Sequence, residues 1–311
     1  MSRILVTGAA GFVGSRLTET LASRGHEVIA LDCFLPDLYS ADIKRQRFDR
    51  MTLLPNVTGV VADLREDNLE AIGSVDVVIN EAAMPGLTKS WDDLKLYIDN
   101  NLHALDRLIR ATAHESLKKF IQISTSSVYG RIATGTEDSP TNPFSPYGVS
   151  KLAAEKLGFA HLDNFGLPFT VLRYFSVYGP GQRPDMAYHR FLEKAKTGDT
   201  VTVYGDGEQR RTNTYIDDCV EATIAAIDHA KPGDTYNISG IQSVSINEAI
   251  ETIREVTGQT LPVDYQPARP GDQKETRGDI QKAQRVLGYT PSWSLKDGLA
   301  AQWAWQRDLP S

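Results

Sequence analysis

With 311 residues, 41% hydrophobic and 23% charged, the chain can bury a large core in one or two domains, and its composition is that of an ordinary soluble globular protein. A formal net charge of -7 excludes the basic footprint of a general nucleic-acid binder, though not a locally basic site for an anionic ligand. Two cysteines, Cys33 and Cys219, exclude a disulfide framework and a zinc site, and are expected to be reduced thiols of a cytoplasmic protein.

No apolar run has the length of a membrane span. The first predicted strand begins at Arg3, so no signal peptide is expected. Short β-branched runs bounded by turn residues predict strands at 4–6, 28–31, 57–61, 75–79, 120–123 and 169–172. Helical spacing lies between them, for example over 15–24 and 94–116. Strands alternating with helices predict βαβ units. The fold class is therefore α/β, a Rossmann-type doubly wound parallel sheet with helices on both faces. After about residue 175 the pattern loosens. Pro180 to Asp185 is rich in Gly and Pro, 190–197 reads as helix and 200–204 as strand. A helix near 217–229 and a strand at 235–238 are placed to return to the main sheet. The expected organisation is a Rossmann domain over 1–175 plus about 212–240. A smaller α/β C-terminal lobe takes about 176–211 plus 241–311.

The first strand runs into Thr7-Gly8-Ala9-Ala10-Gly11-Phe12-Val13-Gly14, and a helix follows. Glycines let the backbone turn sharply and approach a pyrophosphate with no Cβ in the way. The helix N-terminus then offers free N–H groups to the phosphates. The spacing GxxGxxG, after a strand and opening a helix, is the context of a dinucleotide site. Asp32 ends the second strand, where a carboxylate accepts hydrogen bonds from the adenosine ribose and repels a 2′-phosphate. This favours NAD over NADP. Asp63, after the third strand, is expected at the adenine edge.

Ser145-Pro146-Tyr147-Gly148-Val149-Ser150-Lys151 predicts a helix start, with Ser145 as N-cap and Pro146 at the first helical position. Four residues apart, Tyr147 and Lys151 share a face. A nearby ammonium and a cationic nicotinamide favour the phenolate, which makes Tyr147 a general base for a substrate hydroxyl. Upstream, Ser124-Thr125-Ser126-Ser127 follows a predicted strand, at the end where α/β sheets bind ligands.

The glycine motif, Ser124 to Gly130, Tyr147-x-x-x-Lys151 and Leu172-Arg173-Tyr174-Phe175-Ser176-Val177-Tyr178-Gly179-Pro180 occur in this order. Together they resemble the extended short-chain dehydrogenase/reductases that act on nucleotide-diphosphate sugars, over essentially the whole chain. The resemblance implies Tyr147 as base, Lys151 on the nicotinamide ribose and Thr125 on the reacting sugar hydroxyl. It implies a cofactor pocket that includes Gly8, Gly11, Phe12, Val13, Gly14, Leu64 and Ala82, with Asn101 supporting the active-site geometry. Dehydratases of this family carry Asp-Glu after the threonine, and decarboxylases a Glu at the second position. Here both are serines, Ser126 and Ser127, and elimination needs an acid and a base that two hydroxyls do not supply.

These motifs and Arg183-Pro184-Asp185-Met186-Ala187 are most similar to UDP-glucuronate 4-epimerases, which tend to have Thr where this chain has Ser176. Hydroxyls at Ser126, Ser127 and Ser176 suit a C6 carboxylate. The alternatives are a UDP-glucose/galactose 4-epimerase, a UDP-glucuronate decarboxylase and a non-catalytic NAD-sensing protein. The resemblance also implies Arg211 and Arg269 on the diphosphate and Asp272 on the uridine ribose. Arg183, Ala187 and Tyr188 would border the nucleotide, Tyr204 would stack on uracil, and Pro85 and Gly86 would contact the sugar. It implies a homodimer. Two departures stand out. Asn80-Glu81 replaces the usual His-Leu after the fourth strand, and Thr88 replaces an arginine.

Overall fold

The computed structural model describes residues 1–268 and 275–309. In chain order the strands are β1 (Arg3–Thr7), β2 (Glu27–Asp32), β3 (Val57–Val61), β4 (Val77–Asn80), β5 (Lys119–Thr125), β6 (Ile132–Gly135), β7 (Phe169–Tyr174) and β8 (Val177–Tyr178). They continue with β9 (Val201–Tyr204), β10 (Arg210–Thr212), β11 (Thr214–Tyr215), β12 (Thr235–Ile238), β13 (Ser243–Ser245), β14 (Val263–Gln266) and β15 (Glu275–Gly278). Seven of them form the main sheet in the order β12-β7-β5-β4-β1-β2-β3, all parallel. The order reverses between β1 and β4, and this switch point leaves a crevice beyond the strands' C-terminal ends.

Both faces of this sheet are covered. Ile4 and Val6 of β1 pack into one apolar cluster with Leu17 and Leu172, while Leu5 packs into a second with Val78, Phe120 and Val171. Neighbours on one strand point to opposite faces, so a doubly covered strand must be apolar throughout. The late return to the sheet is as expected. β12 pairs with β7, and the helix Ile216–His229 lies on the helix Phe12–Ser23, tied by Arg16 to Asp217 and Arg24 to Glu221.

Three details differ from expectation. The strand expected from 75 starts at Val77; Asp76 just before it already donates its N–H to the Arg3 carbonyl and accepts the Lys118 N–H, and its carboxylate accepts the Arg3 N–H at 2.8 Å. The helix expected over 94–116 is interrupted: Leu94–Ile98 leads into a π-turn at Asp99–His103 before Ala104–Thr112. β6, numbered within the expected main domain, crosses into a small sheet of order β13-β10-β15-β6. Gly130 (φ 101) precedes it and Gly135 (φ 133) is its last residue, both in conformations open to glycine, which lets the chain leave the main sheet. No helix among the described residues is long and apolar enough to cross a membrane.

Candidate active site

The glycine turn is closed on itself. A Cβ on Gly14 would lie 2.2 Å from the Gly8 carbonyl oxygen and one on Gly11 2.9 Å from it, and Gly8 itself has φ +65°. Gly11 is the N-cap of the helix Phe12–Ser23 and brings no side chain to that end. The helix therefore presents its first N–H groups to the crevice, which fits a pyrophosphate. Asp32 accepts the Ala10 N–H at 3.0 Å and the Phe34 N–H at 2.7 Å, one on each oxygen. Burial raises its carboxyl, and these N–H groups and Lys44 oppose the shift. Asp63 is gripped by Arg65 at 2.6 Å, which holds it below the usual carboxylate range.

A cleft of about 490 Å³ runs from this turn to Tyr147 and Lys151. Its walls include Phe12, Val13, Leu64, Ala82, Pro85 and Gly86. The hydroxyls of Thr125, Ser126, Ser127 and Ser176 and the guanidinium groups of Arg183 and Arg211 line the same cleft. The helix Pro146–Phe165 starts as expected, with Ser145 Oγ accepting the Gly148 N–H and Pro146 in the first turn. Tyr147 and Thr125 line the same cleft, and Thr125 Oγ1 lies 3.3 Å from Ser127 Oγ. Burial raises the Tyr147 phenol, and the Thr125 hydroxyl and then the Arg183 charge oppose that rise. Arg183 is itself paired with Asp185 at 2.8 Å. Burial lowers the Lys151 ammonium to about 8, and Glu81 and then Glu155 pull it back up.

Several expected residues stand elsewhere. Asn101 is buried behind the cleft wall, which Asn100 lines instead. Its amide accepts the Met84 N–H at 2.7 Å and donates to the Met84 carbonyl and Ser150 Oγ. Met186, not Ala187, reaches the cleft. Tyr188 is built into the core, edge-on to Tyr178 with ring centroids 5.4 Å apart, and its hydroxyl accepts from Asn213. Tyr204 ends β9, away from the cleft lining. Arg269 and Asp272 lie outside the described residues.

The structure adds residues that spacing could not join. Tyr97 is fully buried, lies edge-on to Tyr147 at 6.1 Å and donates to the Pro85 and Gly86 carbonyls. Arg173 from β7 grips Glu155 at 2.7 and 3.0 Å, and Ser124 Oγ donates to the same carboxylate. This buried triad locks the catalytic helix to β5 and β7, one turn after Lys151. Lys89, next to Thr88, reaches across to Asp37 at the cleft rim.

A crevice at the switch point, a glycine turn for a pyrophosphate and a Tyr–Lys pair beside a hydroxyl run define a dinucleotide-dependent sugar-nucleotide enzyme. The chain belongs to the NAD dependent epimerase/dehydratase family, which it matches over residues 4–239. It is 39% identical over 317 residues to the Bacillus subtilis protein YtcB, described as an uncharacterized UDP-glucose epimerase (99% of this chain, 98% of that one). It is 33% identical to a UDP-glucuronate 4-epimerase of Thermodesulfobacterium geofontis, over 99% and 97% of the two chains. UDP-glucuronic acid 4-epimerase from Bacillus cereus, crystallised with UDP-glucuronic acid and NAD, superposes with a TM-score of 0.92 at 39% identity. That match covers 98% of this chain and 99% of that one.

Proposed function

We propose that this chain is an NAD-dependent 4-epimerase that interconverts UDP-glucuronate and UDP-galacturonate through a transient 4-keto sugar. The observation that carries the reading is the turn after β5. Thr125 stands in the same cleft as Tyr147, and hydroxyls, not acids, occupy the next two positions. Relatives that bind UDP-glucuronic acid and NAD support it.

Bound NAD accepts a hydride from the sugar C4 and returns it to the opposite face. Tyr147 takes the C4 hydroxyl proton as the hydride leaves and gives it back on return, so electrons and protons balance within the site. Thr125 orients that hydroxyl, and Lys151 holds the cofactor's ribose. The 4-keto hexuronate is a β-keto acid that loses carbon dioxide when its C5–C6 bond aligns with the carbonyl. Ser126, Ser127 and Ser176 hold the carboxylate out of that alignment by charge-assisted hydrogen bonds. The main-sheet domain carries the cofactor. The lobe of about 176–211 plus 241–311 carries the nucleotide, with Arg183, Arg211, Arg269 and Asp272 on the UDP moiety. The enzyme acts as a cytoplasmic homodimer; exposed Trp91, Leu94 and Ile98, with Val149 on the adjoining helix, supply an apolar face for it.

UDP-glucuronate deuterated at C4 tests the reaction. The galacturonate product retains the label in ordinary water with no cofactor added. Loss of the label to solvent contradicts a returned hydride.

A further inference from the structure

Glu81 follows β4 where the sheet opens into the cleft, on the wall that also carries Tyr147 and Lys151. Its Oε1 lies 3.0 Å from Tyr174 Oη. Tyr174 Oη lies 2.6 Å from Thr223 Oγ1, which lies 2.8 Å from the Cys219 carbonyl oxygen. Three contacts thus run in line from the cleft into the helix Ile216–His229. When Glu81 is protonated, each contact has its own proton: Glu81 donates to Tyr174, Tyr174 to Thr223, and Thr223 to the carbonyl. When Glu81 is ionised, both hydroxyls turn round. Tyr174 then donates to Glu81 and Thr223 to Tyr174, while the carbonyl keeps its helical partner. Both charge states are served by rotating two hydroxyls, with no heavy atom moved.

The groups facing Glu81 are Tyr147 and Lys151 from the catalytic helix, Tyr174 from β7 and Cys219 from the helix behind it. Of these, Lys151 alone is a cation. Burial raises the Glu81 carboxyl to about 7, against the Tyr174 hydrogen bond and the Lys151 charge. The acid therefore titrates within the working range of a neutral-pH enzyme.

Hydride transfer beside Tyr147 requires the nicotinamide ring on this stretch of wall. The ring is cationic when oxidised and neutral when reduced, so a carboxylate here favours the oxidised form alone. We propose that Glu81 tunes the bound cofactor: its carboxylate biases the nicotinamide toward the oxidised state, and a proton taken up from the cleft, with the Tyr174–Thr223 hydroxyls turning to accept it, releases that bias. In the epimerase reading on which this consequence rests, the bias favours return of the hydride and shortens the life of the keto sugar.

The test needs no sugar. The full-length protein is equilibrated with mixed NAD⁺ and NADH, and the retained ratio is read from the absorbance of the reduced ring across about pH 6 to 9. In the unaltered protein the preference for NAD⁺ rises as pH passes about 7. Lys151, losing its charge near 8, adds a later rise in the same direction. Glu81→Gln abolishes the earlier rise and lowers the preference on the order of ten-fold above it. Tyr174→Phe keeps the carboxyl but removes its donor, and moves the earlier rise to higher pH. It also carries the test alone if Glu81→Gln does not fold. A Glu81→Gln ratio and profile equal to the unaltered protein's, or a Tyr174→Phe profile that does not move, overturns the proposal. Failure of the substrate assignment shows separately, as an intact ratio in a protein that epimerises nothing.

Discussion

Tyr147 is a weak base in the protein alone. Burial raises its phenol, and neither the Thr125 hydroxyl nor Arg183 reverses the direction. The cationic oxidised ring supplies what is missing, so proton removal is coupled to the cofactor's redox state. Tyr147→Phe lowers turnover by roughly 10²- to 10⁴-fold while the purified protein keeps its NAD content, measured by nucleotide release. Ser127→Ala and Ser176→Ala shift the products toward a pentose, because the freed carboxylate can align with the ketone; chromatography of the UDP-sugars reads the ratio. Glu81 makes a stability prediction whose sign is fixed. Its carboxyl is raised from an ordinary 4.5 to about 7, so its contribution is full below 4.5 and is lost as pH rises through about 7. Glu81→Gln therefore melts above the unaltered protein at alkaline pH, and the gap closes toward the acid end. That Tyr147, Lys151 and Thr125 meet in one cleft was legible from a capped helix, a strand end and the family resemblance that joins them. Tyr97 and the Arg173–Glu155 pair were not, since only the folded sheet brings those side chains to the site.

At the scale of elements, the π-turn at Asp99–His103 does the positioning. Its wider turn brings Asn101 inward to the Met84 backbone and Ser150, joining the loop after β4 to the catalytic helix. Apolar periodicity over 94–116 could not show it, because the one residue that the π-turn buries is a polar Asn. Asn101→Ala leaves the buried Met84 N–H unpaired and costs about 1–3 kcal/mol in denaturant unfolding. It also loosens the Pro85–Gly86 wall and raises KM more than it lowers kcat. The buried Glu155–Arg173 pair behaves differently. Removing one partner, as in Glu155→Gln, leaves an uncompensated charge and costs about 3–5 kcal/mol.

For the whole molecule, the alternation of strands and helices was enough to predict the parallel sheet and the return of 217–238 to it. The crossing of β6 into the small sheet was not legible, because four residues that end on a glycine carry no mark of which sheet they join. The exposed row Trp91, Leu94 and Ile98 predicts a dimer in sedimentation, and Leu94→Glu with Trp91→Glu predicts a monomer that keeps its fold. The central claim is a borrowed and returned hydride on a uronate. It is tested most directly by incubating the purified protein with UDP-glucuronate, UDP-glucose and UDP-N-acetylglucosamine, adding no cofactor, and separating the products. The expected product is UDP-galacturonate, from the first of these, with little pentose. Interconversion of the neutral sugars alone, or a requirement for stoichiometric NAD, would contradict it.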